Sequence, residues 1–224
     1  MSNTTSFSKI CSIYELMENK DKEALYQFQF YLQSSPYVND IFNKKFRELC
    51  LEILNNNTLL ISGPALFVNR PNTERLLYKW HSESHYYPKR RNFINIWFPL
   101  FTNKTKNNGT MSFKLNSHKK QYPFSEYFGY NKDSENKKNH FLQYEVPTNF
   151  VEDLEEHFII AERGDLIIFH KDLIHKSNEN PSKDYSIAMV ARVWEPSKDL
   201  TLSGKMDSTP YGGDIGRSNI IVDI

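Results

Sequence analysis

Two short segments carry most of the side chains able to do chemistry. The first, Lys79-Trp80-His81-Ser82-Glu83-Ser84-His85-Tyr86-Tyr87, sets two imidazoles and a carboxylate at every second residue. In an extended strand alternate side chains share a face, so His81, Glu83 and His85 are expected to point the same way. The second segment runs from Gly164-Asp165 through an apolar stretch to His170 and His175. Two histidines and one carboxylate on one face of a metal leave three positions open. That is the facial triad of non-haem Fe(II) oxygenases, whose free positions take a 2-oxo acid and O2. A His-x-Glu tripeptide is a weak signal by itself, because a lone histidine is more often structural than a ligand. The surrounding pattern decides.

Since 92 residues separate Glu83 from His175, a fold must bring two distant strands together, as a double-stranded β-helix does. The elements fit that need. Residues 12–57 read helical. Val38, Ile41, Phe42, Phe46, Leu49 and Ile53 recur at three- and four-residue steps and predict one amphipathic helix. Ser34, Ser35 and Pro36 signal its start, and Asn55, Asn56 and Asn57 its end. After Asn57 the texture becomes short apolar runs split by turns: 58–63, 65–70, 92–101, 109–115, 140–146, 157–162, 164–170 and 185–194 are predicted strands. Helices first and many short strands afterwards give the expected fold class: mainly β, a jelly-roll, cupin-like core with an N-terminal α-helical buttress. The expected organisation is one domain, with a helical extension over 1–57, the core over 58–196 and a tail over 197–224 that serves as a flap over the pocket mouth or as a crossing segment.

Composition limits the function classes. At 224 residues, with 39% hydrophobic and 14% aromatic residues, the chain has enough apolar surface for one core. The 28 Lys+Arg nearly balance the 27 Asp+Glu, which argues against a nucleic-acid-coating protein. No apolar run approaches the ~20 residues of a membrane span, and the first residues lack a signal-peptide pattern. Two cysteines, Cys11 and Cys50, are too few for a disulfide scaffold. A cytoplasmic protein acting on a small molecule, with neither nucleic-acid nor membrane partner, is the expectation. Charge is nonetheless uneven. Basic residues dominate 76–140 and acidic ones 141–199. Lys89-Arg90-Arg91, Lys104/Lys106 and Lys119-Lys120 fall in predicted loops, where solvated turns are the plain expectation. A basic rim attracting an anionic substrate is the sharper one.

The stretch 80–120 resembles the core of the phytanoyl-CoA dioxygenase-like family. The chain supplies Trp80-His81-Ser82-Glu83, Asn95-Ile96-Trp97, Asn108-Gly109 and Ser117-His118-Lys119, in the order of the family pattern. Residues 164–186 resemble the family's second block, Gly-Asp, a strand, then His-x-Ser-x-x-Asn. The resemblance implies a jelly-roll oxygenase using Fe(II), 2-oxoglutarate and O2, and releasing succinate and CO2. It implies His81, Glu83 and His175 as iron ligands, Ser177 as a hydrogen-bonding partner of the co-substrate carboxylate, and Asn95 facing the pocket.

Two departures from the pattern stand out. The carboxylate is Glu83 where Asp is more usual. Halogenating relatives carry a small residue there, so Glu83 favours hydroxylation or desaturation. The family also places an arginine about eleven residues after the distal histidine, for the far carboxylate of 2-oxoglutarate. Here that position is Ser186, and serine alone cannot replace a bidentate guanidinium. Arg192 shares the face of Ser186 but lies six residues, roughly 20 Å, along the strand. Arg91, Lys183 and Arg217 are the candidates from elsewhere.

The expected substrate is a small polar metabolite, neutral or anionic: a sugar, nucleotide sugar or amino-acid derivative. Competing readings are a cupin-like metal isomerase or epimerase with His85 as a fourth ligand, and a non-catalytic binding domain. His118, His140, His157 and His170 read as structural, Trp97 and Trp194 as core, and Asp172 as either a support for His175 or a solvated turn residue.

Overall fold

The computed structural model describes residues 3–33, 35–61, 64–72, 77–87, 92–128, 142–195 and 220–223. Four helices come first: α1 (Asn3–Lys20), α2 (Lys22–Gln33), α3 (Pro36–Ile41) and α4 (Lys44–Leu54). The single amphipathic helix expected over the second part of this region is in fact two. Asn43 is the reason: its backbone is extended and its side chain accepts from the Phe46 N–H, so it caps a fresh helix. Asn55 ends α4 in the left-handed conformation. The buried face of α4 is Phe46, Cys50 and Leu54, continuing Phe42. Leu49 and Ile53, expected on that face, are 42% and 46% exposed.

The strands follow as β1 (Thr58–Ile61), β2 (Ala65–Asn69), β3 (Phe93–Pro99), β4 (Met111–Lys114), β5 (Ser125–Phe128), β6 (Leu142–Glu145), β7 (Glu156–Phe158), β8 (Ile167–His170), β9 (His175–Ser177), β10 (Ser186–Trp194) and β11 (Ile220–Asp223). A four-residue helix, α5 (Glu83–Tyr86), sits between β2 and β3. The larger sheet runs β11-β1-β10-β3-β8, with β2 also paired to β10. The smaller runs β7-β4-β9, and β5 with β6 forms a hairpin-like pair. The pairings are antiparallel throughout. β5, β9 and β11 lie outside the strands predicted from the sequence. They are three or four residues long, too short to show a clear alternation.

Every residue of β3 and of β10 is buried, because both faces of the large sheet are covered. On one face Ile94, Ile96 and Phe98 of β3 and Met189, Ala191 and Val193 of β10 meet Phe42, Phe46, Cys50 and Leu54 of the helical layer. On the other, Trp97, Phe169, Ala188 and Val190 meet Phe113 and Ile159 of the small-sheet side. A strand covered on both sides reads as a continuous apolar run rather than an alternating one. α1 and α2 add Tyr14 and Leu25 against Val68 and Ile187. The chain is thus mainly β with a helical layer packed on one sheet face.

Candidate metal centre

The segment 79–87 is not the strand its alternation predicts. Only His81 pairs, in an antiparallel bridge with His175, and its N–H and C=O exchange 2.9 Å hydrogen bonds with those of His175. The chain then turns into α5, which starts at Glu83. The bridge extends the small sheet past β9, and one turn of helix swings the Glu83 carboxylate back toward the two imidazoles. His81, Glu83 and His175 offer donor atoms that all lie within 4.8 Å of one another. Among the described residues this is the one His/Cys/Asp/Glu group so arranged. Metal–nitrogen and metal–oxygen bonds to such ligands run about 2.0–2.2 Å, so modest side-chain rotation brings all three onto one ion.

The protonation states suit a metal. His81 Nδ1 lies 2.6 Å from the Lys79 carbonyl and His175 Nδ1 lies 2.9 Å from the Leu173 carbonyl. A carbonyl only accepts, so each Nδ1 carries the proton and each Nε2 lone pair is free to ligate. Burial, with His175 close by, pulls the His81 imidazole down to about 3 and keeps it neutral. Burial by itself would raise the Glu83 carboxyl, but the charge of Arg192 outweighs it and holds the group below the usual carboxylate range. Arg192 Nε donates to Glu83 Oε2 at 2.7 Å, while Oε1 lies 3.8 Å from His175 Nε2. One carboxylate oxygen is therefore anchored and the other faces the imidazoles. The extra methylene of glutamate supplies the reach for both.

His85 does not join the cluster. Its ring stacks on Phe124 at 4.2 Å, and its Nδ1 accepts from the Ser82 N–H at 3.4 Å. Burial lowers it to about 4. The strand parity that predicted a shared face fails because residues 83–86 are helical.

A cavity of about 230 Å³ opens beside the three donors. His81, Glu83, His175, Ser177 and Arg192 line it, with Tyr78, Tyr86, Tyr87, Trp97, Asn69 and Lys104. Ser177 is thus placed in the cavity, and Trp97, expected in the core, is both core and cavity wall. Asn95 lies on the same side of β3 as Trp97, between Arg192 and Phe169 of the neighbouring strands. It is fully buried, and neither of its amide atoms has a hydrogen-bond partner. Asn69 Oδ1, in the cavity wall, is likewise buried and unpartnered. Such orphaned polar atoms beside a donor cluster fit a polar occupant. Gly109 completes the wall at φ +75°, where a Cβ would stand 2.6 Å from Asn69 Cγ; only glycine fits there.

Arg91 and Arg217 lie outside the described residues, as do 197–219 of the tail, and Lys183 is exposed. The Asp172 carboxylate pairs with Lys171 rather than with His175, and its backbone N–H donates to His170 Nδ1. The cation missed in the sequence is Lys104. Expected in a solvated turn, it is 1% exposed, and its Nζ donates to Ser186 Oγ. Its loop setting among polar residues gave no sign of burial; only the arginine missing from position 186 hinted that a cation was owed there.

Comparison with known proteins bears on the fold and the family. Solved structures similar to the chain include a non-heme monooxygenase, ThoJ (17% identity, TM-score 0.52, covering 70% of this chain and 54% of that one). EvdO2 from Micromonospora carbonacea var. aurantiaca, complexed with 2-oxoglutarate, is another (14% identity, TM-score 0.53, 75% and 63%). A third is AviO1 from Streptomyces viridochromogenes Tue57 (14% identity, TM-score 0.51, 74% and 65%). The chain therefore spans little more than half to about two thirds of those proteins. No curated protein sequence matches it. The family model for phytanoyl-CoA dioxygenase matches residues 15–188, which takes in α2 to α5, β1 to β9, the start of β10 and all three candidate ligands. The chain belongs to the phytanoyl-CoA dioxygenase (PhyH) family.

Proposed function

We propose that this protein is an Fe(II)/2-oxoglutarate-dependent dioxygenase that hydroxylates a small polar metabolite, neutral or anionic, of the sugar, nucleotide-sugar or amino-acid-derivative kind. The observation that carries the reading is the buried His81–Glu83–His175 donor set at the wall of a largely apolar cavity into which Ser177, Arg192, Lys104 and Asn69 bring a few polar groups, in a chain of this family. The strand order supports a double-stranded β-helix as the core. Its large sheet would be β2-β10-β3-β8 and its small sheet the His81 bridge-β9-β4-β7, with residues 1–57 as buttress and the whole chain as one domain.

His81, Glu83 and His175 would hold the metal through two neutral imidazoles and one carboxylate, leaving three positions open. When bound, Fe(II) with 2-oxoglutarate and O2 supplies the oxidising equivalent for a C–H bond, with succinate and CO2 released. The chain's own part is placement. Arg192 keeps Glu83 ionised and in one orientation. Ser177, two residues beyond His175 and in the cavity wall, would donate to a co-substrate carboxylate. Tyr78, Tyr86 and Tyr87 line the cavity with phenol groups suited to a polyhydroxylated or amide-bearing substrate. Burial raises the Tyr86 hydroxyl well above its ordinary range, so it stays a neutral hydrogen-bonding group. With a carboxylate at position 83, the position that a halide would take is already filled, which favours hydroxylation or desaturation over halogenation.

The test is anaerobic addition of 2-oxoglutarate to Fe(II)-loaded protein, following the metal-to-ligand charge-transfer absorption. The band should appear in the wild type and vanish in Glu83→Ala and His175→Ala. Iron binding with no such band would sink the reading. With the band in hand, succinate release across a panel of sugars, nucleotide sugars and amino-acid derivatives reports the substrate.

A further inference from the structure

Lys104 is a buried ammonium without a counter-charge. Its backbone is fixed by a two-way bridge to Ala161, donating at 2.7 Å and accepting at 3.1 Å. From there the side chain enters the cavity wall, where Nζ donates to Ser186 Oγ and stands 5.8 Å from the centre of the Trp97 ring. Among the described residues no carboxylate pairs with it, and burial alone pulls its amine down to about 7. A lone buried cation is costly unless an opposite charge completes it.

Position 186 is where the family pattern puts the arginine for the far carboxylate of 2-oxoglutarate. Ser186 opens β10 opposite Asn69 of β2, and Lys104 reaches it from the loop after β3. Trp97 packs with Phe113 and Phe169, whose rings stand 6.4 and 5.0 Å from that of His175. One packed wall thus joins the cation to the metal donors.

We infer that Lys104 and Ser186 together bind the distal carboxylate of 2-oxoglutarate, the lysine supplying from a separate segment the positive charge that β10 lacks at position 186. The inference rests on the oxygenase reading. Lysine offers three N–H donors and a point charge rather than a planar fork. Ser186 Oγ, already accepting from Lys104, keeps its own proton to donate, so the carboxylate gains one bond from each residue.

The experiment compares two 2-oxo acids on anaerobic Fe(II)-loaded protein, by charge-transfer absorption and by calorimetry. 2-Oxopentanoate keeps the chelating head of 2-oxoglutarate but ends in a methyl group. Wild type should bind 2-oxoglutarate about 10- to 100-fold more tightly, as expected for a charge-assisted contact. Lys104→Met should lose that preference while keeping its affinity for 2-oxopentanoate. Lys104→Arg should retain part of the preference, and Ser186→Ala should reduce it by less than Lys104→Met does. A wild type that binds both acids equally overturns the inference and leaves the oxygenase reading standing, with no variant needed. A Lys104→Met protein that keeps the full preference also overturns it. A wild type that binds iron but neither acid overturns both readings.

Discussion

Arg192 and Glu83 are joined by a 2.7 Å hydrogen bond from Nε to Oε2, with both residues more than nine-tenths buried. They come from β10 and from the first turn of α5, 109 residues apart. The pair fixes which carboxylate oxygen is left for a metal, and the Arg192 guanidinium rests 5.3 Å from the centre of the Tyr87 ring. Removing one partner of such a pair strands the other's charge.

Arg192→Leu should therefore weaken metal binding without removing a ligand. Loss of an outer hydrogen bond to a ligating side chain typically costs about 10- to 100-fold in affinity. Anaerobic Fe(II) titration of the variant measures this. An unchanged affinity would mean that Glu83 is oriented without the arginine.

The ligand set separates three from four. His85→Phe should leave metal affinity within about twofold of wild type, because the ring already stacks on Phe124 and points its Nδ1 at the backbone. His175→Ala should abolish tight binding. If the two variants lose metal alike, His85 is a fourth ligand and the cupin-like arrangement gains ground.

Lys104 gives the folded protein a pH dependence with a definite sign. Burial holds its amine at about 7, well below the ordinary lysine value of 10.5. Between those values the unfolded chain holds more protons than the folded one, so this residue makes stability rise with pH across that window. Below about pH 7 its full burial penalty applies. The stability of Lys104→Met relative to wild type, followed by urea denaturation, should be greatest near neutral pH and shrink toward pH 10.5. A constant difference would show that the lysine is solvated.

The face of α4 can be tested by two truncations. Leu54→Ala, removing a buried side chain, should cost about 2–5 kcal/mol. Ile53→Ala, at a position 46% exposed, should stay within about 0.5 kcal/mol. Urea midpoints measured at constant slope report both. The reverse order would restore the helix face read from the sequence.

Much of this was legible in the sequence because it depends on local pattern. The continuous apolar runs of β3 and β10 mark strands buried on both faces, and Asn55 marks the end of α4. The motif matches in 80–120 and 164–186 pointed to His81, Glu83 and His175, and those are the residues the fold gathers. Other features depended on spatial neighbours. Alternation at 81, 83 and 85 is ambiguous between a strand and a bridge followed by a helical turn; the His175 backbone, which captures only His81, decides between them. Leu49 and Cys50 are both apolar, and only the sheet packed on α4 selects which one is buried. The surrounding residues of Lys104 read as a solvated loop, yet the Ala161 bridge turns its side chain inward onto Ser186. Residue types, spacing and motif order thus determined which candidate metal ligands the chain carries. The tertiary structure decided which distant charges answer one another, because burial and pairing belong to the folded neighbourhood and not to any single segment.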